Sequence, residues 1–319
     1  MTGFVSNSQK VPELDKLDKQ IIYELAGNCR QSYQELAKKT GITANAVRKR
    51  IDKLESSGAI DYYTIEYTYT MIDAHSLMAW ITTDGTSDEE EFSNQIGNLK
   101  FFLDVTPLTG GYYAAFADYI TAEDMSDITR FVRSQECVLN VEIHPLVVYT
   151  SRPPPKPELE LKKLHYRVLK PLIENPRMQI NEIAQEINLT ARKVRRAISE
   201  IMEHGGVRFT LKWNPEVSKG THFVARIKYD ESRTSQEEFT SLLLKKYPVL
   251  LWELFVSTIE PLIVAYFVVP TMEHVEQVTR EIRQSGVVDS VISHVATKTR
   301  SYPGLRNRRL LEKIESENA

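Results

Sequence analysis

A stretch of 47 residues occurs twice in this chain, and that constrains the fold more than any other feature. Residues 161–207 slide over 14–60 without a gap. Leu14, Lys16, Leu17, Leu25, Asn28, Arg30, Glu35, Ala37, Thr43, Ala44, Val47, Arg48, Ile51 and Gly58 recur as Leu161, Lys163, Leu164, Leu172, Asn175, Arg177, Glu182, Ala184, Thr190, Ala191, Val194, Arg195, Ile198 and Gly205. A single gapless shift with this many identities marks a tandem duplication, so whatever one copy folds into the other must also fold into. Any apolar face left bare by one copy is left bare by both.

With 319 residues the chain exceeds one compact domain. Hydrophobic residues at 42% and charged residues at 26% suit a soluble globular protein. No apolar run approaches the roughly 20 residues that cross a bilayer, so no membrane partner is expected. The opening "MTGFVSNSQKVPELDK" lacks an apolar core and a cleavage pattern and reads as a loose polar tail, not a secretory leader. Cys29 and Cys137 form no CxxC and no disulfide framework, which fits a reducing compartment. The net charge of −3 means that any nucleic-acid contact must rest on locally concentrated cations.

Between the copies lies "TSRPPPKPELE", whose prolines at 153, 154, 155 and 157 predict an extended, stiff linker. Each copy opens with three helical patterns. Leu17, Ile21, Ile22 and Leu25 keep helical spacing; Ser32 and Glu35 form a capping box for the next helix. Thr43 caps a third helix with the stripe Val47, Ile51 and Leu54, stopped by Gly58. Two helices joined by a short Gly-containing turn are a helix-turn-helix. "YYTIEYTYT" then predicts a strand or wing.

The remainder of each copy predicts strand-helix-strand-strand-helix-strand, the ferredoxin-like order. Capping boxes are expected at Ser87 with Glu90 and at Ser235 with Glu238. One face of such a sheet is covered by helices; the bare face is expected to pack on its twin. The expected fold class is α+β, with two winged helix-turn-helix domains and two ferredoxin-like βαββαβ sensor domains in tandem. The expected boundaries are a flexible tail 1–13, winged helix-turn-helix 14–70, sensor 71–151, Pro-rich linker 152–160, winged helix-turn-helix 161–217, sensor 218–302 and a charged C-terminal tail 303–319.

With Ile51 at the centre of the buried stripe, Asn45, Lys49 and Lys53 point outward and Arg48 and Arg50 flank them. In the second copy Arg192, Arg196 and Glu200 point outward, with Lys193 nearby and Arg195 flanking. Lysine and arginine displace counterions from phosphates, and arginine also grips guanine in the major groove. The nine residues Asn45, Arg48, Lys49, Arg50, Lys53, Arg192, Lys193, Arg195 and Arg196 are therefore the candidate contacts to double-stranded DNA. A solvated charged helix face is the ordinary alternative; finding it twice inside a helix-turn-helix frame favours DNA.

"LDKLDKQIIYELAGNCRQSYQELAKKTGITANAVRKRIDKLESSGAI" resembles the opening of Lrp/AsnC-type (leucine-responsive) regulators of archaea and bacteria. Leu17, Asp18, Ile21, Ile22, Leu25, Asn28, Arg30, Ser32, Glu35, Leu36, Ala37, Gly41, Val47, Arg50, Ile51, Leu54, Glu55, Gly58 and Ile60 carry the resemblance. It implies a cytoplasmic, nucleoid-associated transcriptional regulator with ligand-sensing, dimerising sensor domains. It also implies self-association through the sensor sheets, here as an intrachain pseudo-dimer, with a homodimer of chains left open. Two departures stand out: His165 replaces Asp18, and Ala197 replaces Arg50, so weaker or different DNA contacts are expected from the second copy. The family's effector turn corresponds to Thr109, Gly110, Gly111 and Tyr112, but its acidic residues are missing here, so an amino acid or other small effector is weighed there against a plain structural turn. The unlike third helices imply unlike half-sites, roughly one duplex turn or about 34 Å apart.

No catalytic signature of the HExxH, Walker or GxSxG type is present, and no enzyme, metal or cofactor is expected. His144 with His294 and His75 with His222 occupy matching final strands and matching loops, a symmetry weighed as a metal or pH-sensing site against the plainer reading of shared ancestry with tolerated core or surface histidines. Two alternatives remain open: an architectural DNA-binding protein with little sequence preference, and a sirohaem-decarboxylase-like tetrapyrrole enzyme using His144 and Arg152. In the tail, Arg300, Arg306, Arg308 and Arg309 are candidates for phosphate or subunit contact, with a solubilising helix as the plainer expectation.

Overall fold

The computed structural model describes residues 14–148, 160–214 and 220–318. The 1–13 tail, Arg152 and the four linker prolines lie outside the described residues. Helix α1 (Lys16–Gly27) is capped by Asp15 and Asp18 in a reciprocal box. The box at Ser32 and Glu35 opens α2 (Tyr33–Thr40), which closes on Gly41 at φ 73°. Thr43 caps α3 (Ala44–Ser56), whose Val47, Ile51 and Leu54 are buried.

The second copy forms α6 (Lys163–Leu169), α7 (Ile180–Glu186) and α8 (Ala191–His204). Helix α6 is shorter than α1 because Pro171 stands where α1 has Glu24, and proline cannot continue the hydrogen-bond ladder. Asn188 takes the left-handed turn that Gly41 takes in the first copy, at φ 52°.

After each third helix comes a strand, but it is not a free-standing wing. β1 (Ile60–Tyr67) pairs antiparallel with β6 (Val207–Trp213), with Ile65 opposite Phe209. The two helix-turn-helix units are thus carried on one shared ribbon. Next to it Arg30 donates to the carbonyls of Pro176 and Met178 at 2.5 and 2.9 Å, and the Arg177 guanidinium lies 5.1 Å from the Tyr63 ring centre.

The first sensor runs β2 (His75–Thr83), α4 (Glu89–Gly97), β3 (Phe102–Leu108), β4 (Tyr112–Tyr119), α5 (Ala122–Arg133) and β5 (Val138–Val148). The second runs β7 (Thr221–Tyr229), α9 (Gln236–Lys246), β8 (Leu251–Ser257), β9 (Leu262–Val269), α10 (Met272–Arg283) and β10 (Val288–Val295). Their strand orders, β5-β2-β4-β3 and β10-β7-β9-β8, are those of the ferredoxin-like arrangement. Each sheet lends its last strand to the other's edge. The end of β5 pairs with β8, Val147 opposite Val256. The chain leaving β10 bridges Ala296 to Leu108, then forms β11 (Arg300–Ser301) against Val105 and Asp104 of β3. The bare faces meet: Met78, Trp80, Ala114 and Phe116 pack with Val224, Phe255, Leu262 and Val264.

Three local expectations change. Helix α4 is capped by Asp88, not Ser87; the carboxylate accepts the amides of both Glu90 and Glu91 at 2.9 Å, and an anion suits the helix N-terminus better than a hydroxyl. His75 and His222 stand in β2 and β7, not in loops. The tail is no solubilising appendage either. It forms α11 (Leu305–Asn318), which buries Leu310 and Ile314 in the core beneath α6 and α8.

Arg306 of α11 is 4% exposed and bonds Asp118 at 2.8 Å, Glu66 at 2.9 Å and the Tyr67 carbonyl at 2.9 Å. Burial pushes the Glu66 carboxyl up, but Arg306, Arg208 and Lys212 outweigh it and hold it at about 2. The other tail arginines bind nearby groups: Arg300 takes Glu90 at 2.8 Å, Arg308 the Pro303 carbonyl at 2.7 Å and Arg309 Glu312 at 3.5 Å. Removing Arg306 leaves the buried Asp118 without a cation and Glu66 with Arg208 alone. Arg306→Ala should therefore lower unfolding free energy by about 3–5 kcal/mol in urea titration, whereas Arg309→Ala, in an exposed pair, should change it by less than about 1 kcal/mol.

Candidate nucleic-acid interface

The third helix of each unit owes its exposure to the stripe opposite. Burial of Val47, Ile51 and Leu54 fixes the rotation of α3, and Val194, Ala197, Ile198 and Ile201 fix that of α8. Asn45, Arg48, Lys49 and Lys53 are exposed on α3; Arg192, Lys193, Arg195 and Arg196 are exposed on α8. Both helices start on a threonine whose hydroxyl accepts an N3 amide, Ala46 at 3.2 Å and Lys193 at 3.3 Å. The remaining open amides of those first turns are suited to phosphate oxygens.

Arg50 is the member of the nine that the structure sets apart. Its Nη1 donates to Asp18 at 2.6 Å and to Asp15 at 2.8 Å, and only 28% of its side chain is exposed. It ties α3 to α1. Burial pushes the Asp15 carboxyl up, but the Asp18 amide and Arg50 outweigh it and hold it below the usual range.

The two departures in the second copy are one coupled change. His165 stands in the place of Asp18 and also accepts its cap amide, Lys162 N to Nδ1 at 3.1 Å. With Nδ1 accepting, Nε2 carries the proton and donates to Glu200 at 3.0 Å. Glu200 occupies the position of Lys53, one turn from Ala197. So the acid-on-α1, base-on-α3 tie becomes a base-on-α6, acid-on-α8 tie. The loss of Arg50 at Ala197 goes with the exchange of this brace.

The outward charge of the helices follows. On α3, Arg48, Lys49 and Lys53 face solvent with Asp52, which sits 3.8 Å from Arg48. On α8, four cations face solvent with Glu200, which takes Arg196 at 2.7 Å and His165. The second helix is thus the more cationic of the two once Arg50 is committed to its brace.

The turn Thr109–Tyr112 lies against the other sensor. Thr109 N donates to the Val295 carbonyl at 2.9 Å, Val295 N donates to the Thr109 hydroxyl at 3.1 Å, and Tyr112 packs on His294 with ring centres 4.5 Å apart. Gly110 and Gly111, at φ 86° and 77°, make the left-handed turn. His144 is buried between Glu260 at 2.8 Å and Glu142 at 3.6 Å; among the described residues no group of three His, Cys, Asp or Glu could hold a metal ion. Sequence reasoning missed the ion cluster beneath the ribbon, the buried Glu66 with the half-buried Arg208, Lys212 and Asp104, because its members come from separate segments with no shared motif.

Two helix-turn-helix units with basic third helices on one ribbon define a DNA-binding protein. Residues 14–55 match the model of the AsnC-type helix-turn-helix domain, and residues 161–205 match a winged helix-turn-helix DNA-binding model. The chain is similar to the HTH-type transcriptional regulator LrpA of Pyrococcus horikoshii, 46% identical over 118 residues covering 36% of this chain and 82% of that protein. It is also similar to an uncharacterised HTH-type regulator of Pyrococcus furiosus, 33% identical over 132 residues, 41% of this chain and 86% of that one. Over 95% of its length its fold matches the crystal structure of the sirohaem decarboxylase NirDL, with TM-score 0.56, 14% identity and 99% of that chain covered. The chain belongs to the Lrp/AsnC family of DNA-binding transcriptional regulators. Among the described residues no helix is long and apolar enough to cross a membrane.

Lys49 and Arg50 separate contact from support. Lys49→Ala should reduce the slope of log affinity against log salt by about 1 with little change in stability. Arg50→Ala should leave that slope unchanged and cost about 1–3 kcal/mol in unfolding free energy, because the buried Asp18 loses its partner. Filter binding over a salt series and urea titration give the two readings.

Proposed function

We propose that one chain reads a non-palindromic duplex site with two unlike heads, α3 and α8, held in register by the β1–β6 ribbon and the paired sensors. The observation that carries this is the outward set on each helix. Asn45, Arg48, Lys49 and Lys53 on α3 face the groove, as do Arg192, Lys193, Arg195 and Arg196 on α8, while Arg50 braces the bundle. Different side chains at matching positions favour different bases. The rigid ribbon favours a fixed spacing between half-sites, on the order of one helical turn. Such a protein works where the DNA is, in the cytoplasm at the nucleoid, and chains of this kind can also pair with one another.

The fold shared with NirDL is a likeness of architecture. A tetrapyrrole carrying several carboxylates needs surplus positive charge and a large pocket. The cavity beneath the ribbon is about 240 Å³, smaller than the roughly 300–1,000 Å³ of drug-sized sites, and its cations are matched by acids. We read the chain as a regulator, as the AsnC-type match and the likeness to LrpA support.

In vitro selection of bound DNA with the full chain tests the proposal. Selection should enrich an asymmetric motif. Lys49→Ala with Lys53→Ala should erase the information in one half, and Arg192→Ala with Arg195→Ala that in the other. A motif of strict two-fold symmetry from a monomeric chain would contradict unlike heads. Equal affinity for selected and random duplex at fixed salt would favour an architectural role.

A further inference from the structure

Strand sharing covers the edges of β1, β3 and β8 but leaves one stretch of edge uncovered in each sensor. β5 pairs with β8 only from Leu146 onward, so among the described residues 138–145 have β2 on one side and no strand on the other. β10 has β7 on one side and stands last in the sheet. The Pro145 carbonyl accepts the Thr258 amide at 3.0 Å, so it points away from β2. Backbone groups alternate in direction along a strand, so the amides and carbonyls of Val141 and Ile143 point the same way. An open edge of this kind is a template for a further strand unless something blunts it.

The two halves treat that edge differently. Thr129, Arg130, Arg133 and Val141 recur in the second sensor as Thr279, Arg280, Arg283 and Val291. There the Arg283 guanidinium donates to the Val291 carbonyl at 2.9 Å and blunts β10 with the protein's own side chain. Arg133 makes no such bond. Among the described residues it has no hydrogen-bond or ion-pair partner, and the Val141 carbonyl is left open.

Beside the open stretch lies a groove of about 900 Å³ between α5 and β5. Met125 of α5 and Val141, Ile143 and Pro145 of β5 give it apolar walls, and Ile259, 66% exposed on the turn after β8, stands at its margin. Arg130 and Arg133 are the charged residues that line it, and no acid does. Arg130 meets only Asp127, at 3.3 Å in a solvent-facing pair. An open strand edge takes an extended backbone, the apolar walls take an apolar side chain, and the arginines take a carboxylate. Alternate residues of a strand share a face, so one extended segment presents the last two together.

We propose that the β5 edge of the first sensor takes up an extended acidic peptide segment of a partner protein as an added strand. Its backbone bonds Val141 and Ile143, an apolar side chain enters the groove, and a carboxylate lies on Arg133 and Arg130. The second sensor does not do this, because Arg283 already holds its edge. No residue of the groove belongs to either helix-turn-helix unit, so partner and DNA engage different surfaces.

Random peptides of about eight residues, within the span of an ordinary strand, are displayed on phage and selected on the full chain. The enriched sequence is then synthesised with a fluorescent label and titrated by anisotropy. Selection should enrich an apolar and an acidic residue at alternate positions, without proline between them. Arg133→Glu should weaken binding of that peptide by on the order of tenfold or more, and Arg283→Glu should leave it unchanged. Ile143→Pro removes one outward amide at a position of the same direction as the native Pro145, so the β2–β5 pairing is kept while peptide binding is lost. Circular dichroism and unchanged DNA affinity check that both first-sensor variants fold. The proposal is overturned if no sequence is enriched, if the enriched sequences carry no acid, or if Arg133→Glu and Ile143→Pro bind the peptide as the wild type does. It is overturned too if sedimentation shows wild-type chains pairing with each other and Ile143→Pro abolishing that pairing, since the edge would then belong to a second copy.

Discussion

Strand edges and sheet faces that neither half can satisfy alone hold this molecule together. An unpaired edge presents open amides and carbonyls, and a bare apolar sheet face presents surface that water disfavours. β3 is covered by the chain that follows β10, β8 by the end of β5, and β1 by β6. The inner faces close on Trp80, Phe116, Phe255 and Val264. The duplication therefore makes a closed unit, and the positions of both reading heads follow from it.

Within that symmetry the halves have diverged in a physically constrained way. The brace from first to third helix survives with its charges exchanged, Asp18 to Arg50 in one unit and His165 to Glu200 in the other. The histidine keeps the capping role of the aspartate while reversing the sign of the tie. The seats of the heads differ as well. The first rests directly on the second sensor, with Trp252 in its core and Lys19 on three carbonyls of that sensor. The second rests on α11, which reaches the first sensor through Arg306 and Asp118. The two third helices thus stand on unlike seats.

Between heads and sensors the structure buries ions at some cost. Charges removed from water stabilise only when matched, and the row Asp118, Arg306, Glu66, Arg208 is matched throughout.

The sequence by itself determined whatever depends on neighbours within a turn or two. The boxes at Ser32 and Glu35 and at Ser235 and Glu238, the stripe Val47, Ile51 and Leu54, and the ferredoxin-like order were all legible. So was the need for a twin, since a one-sided sheet must be covered. Where the local rule had two candidates, as with Ser87 and Asp88, the reading slipped by one residue. The tertiary structure alone decided what each long polar side chain does. Arg50 reads from its spacing as a groove contact, yet it reaches acids 32 and 35 residues away. Arg306 reads as part of a polar tail, yet it bonds groups 188 and 239 residues away. Periodicity fixes the direction in which a side chain leaves its helix, but its charge is answered by whatever segment the fold brings alongside, and no spacing along the chain records that.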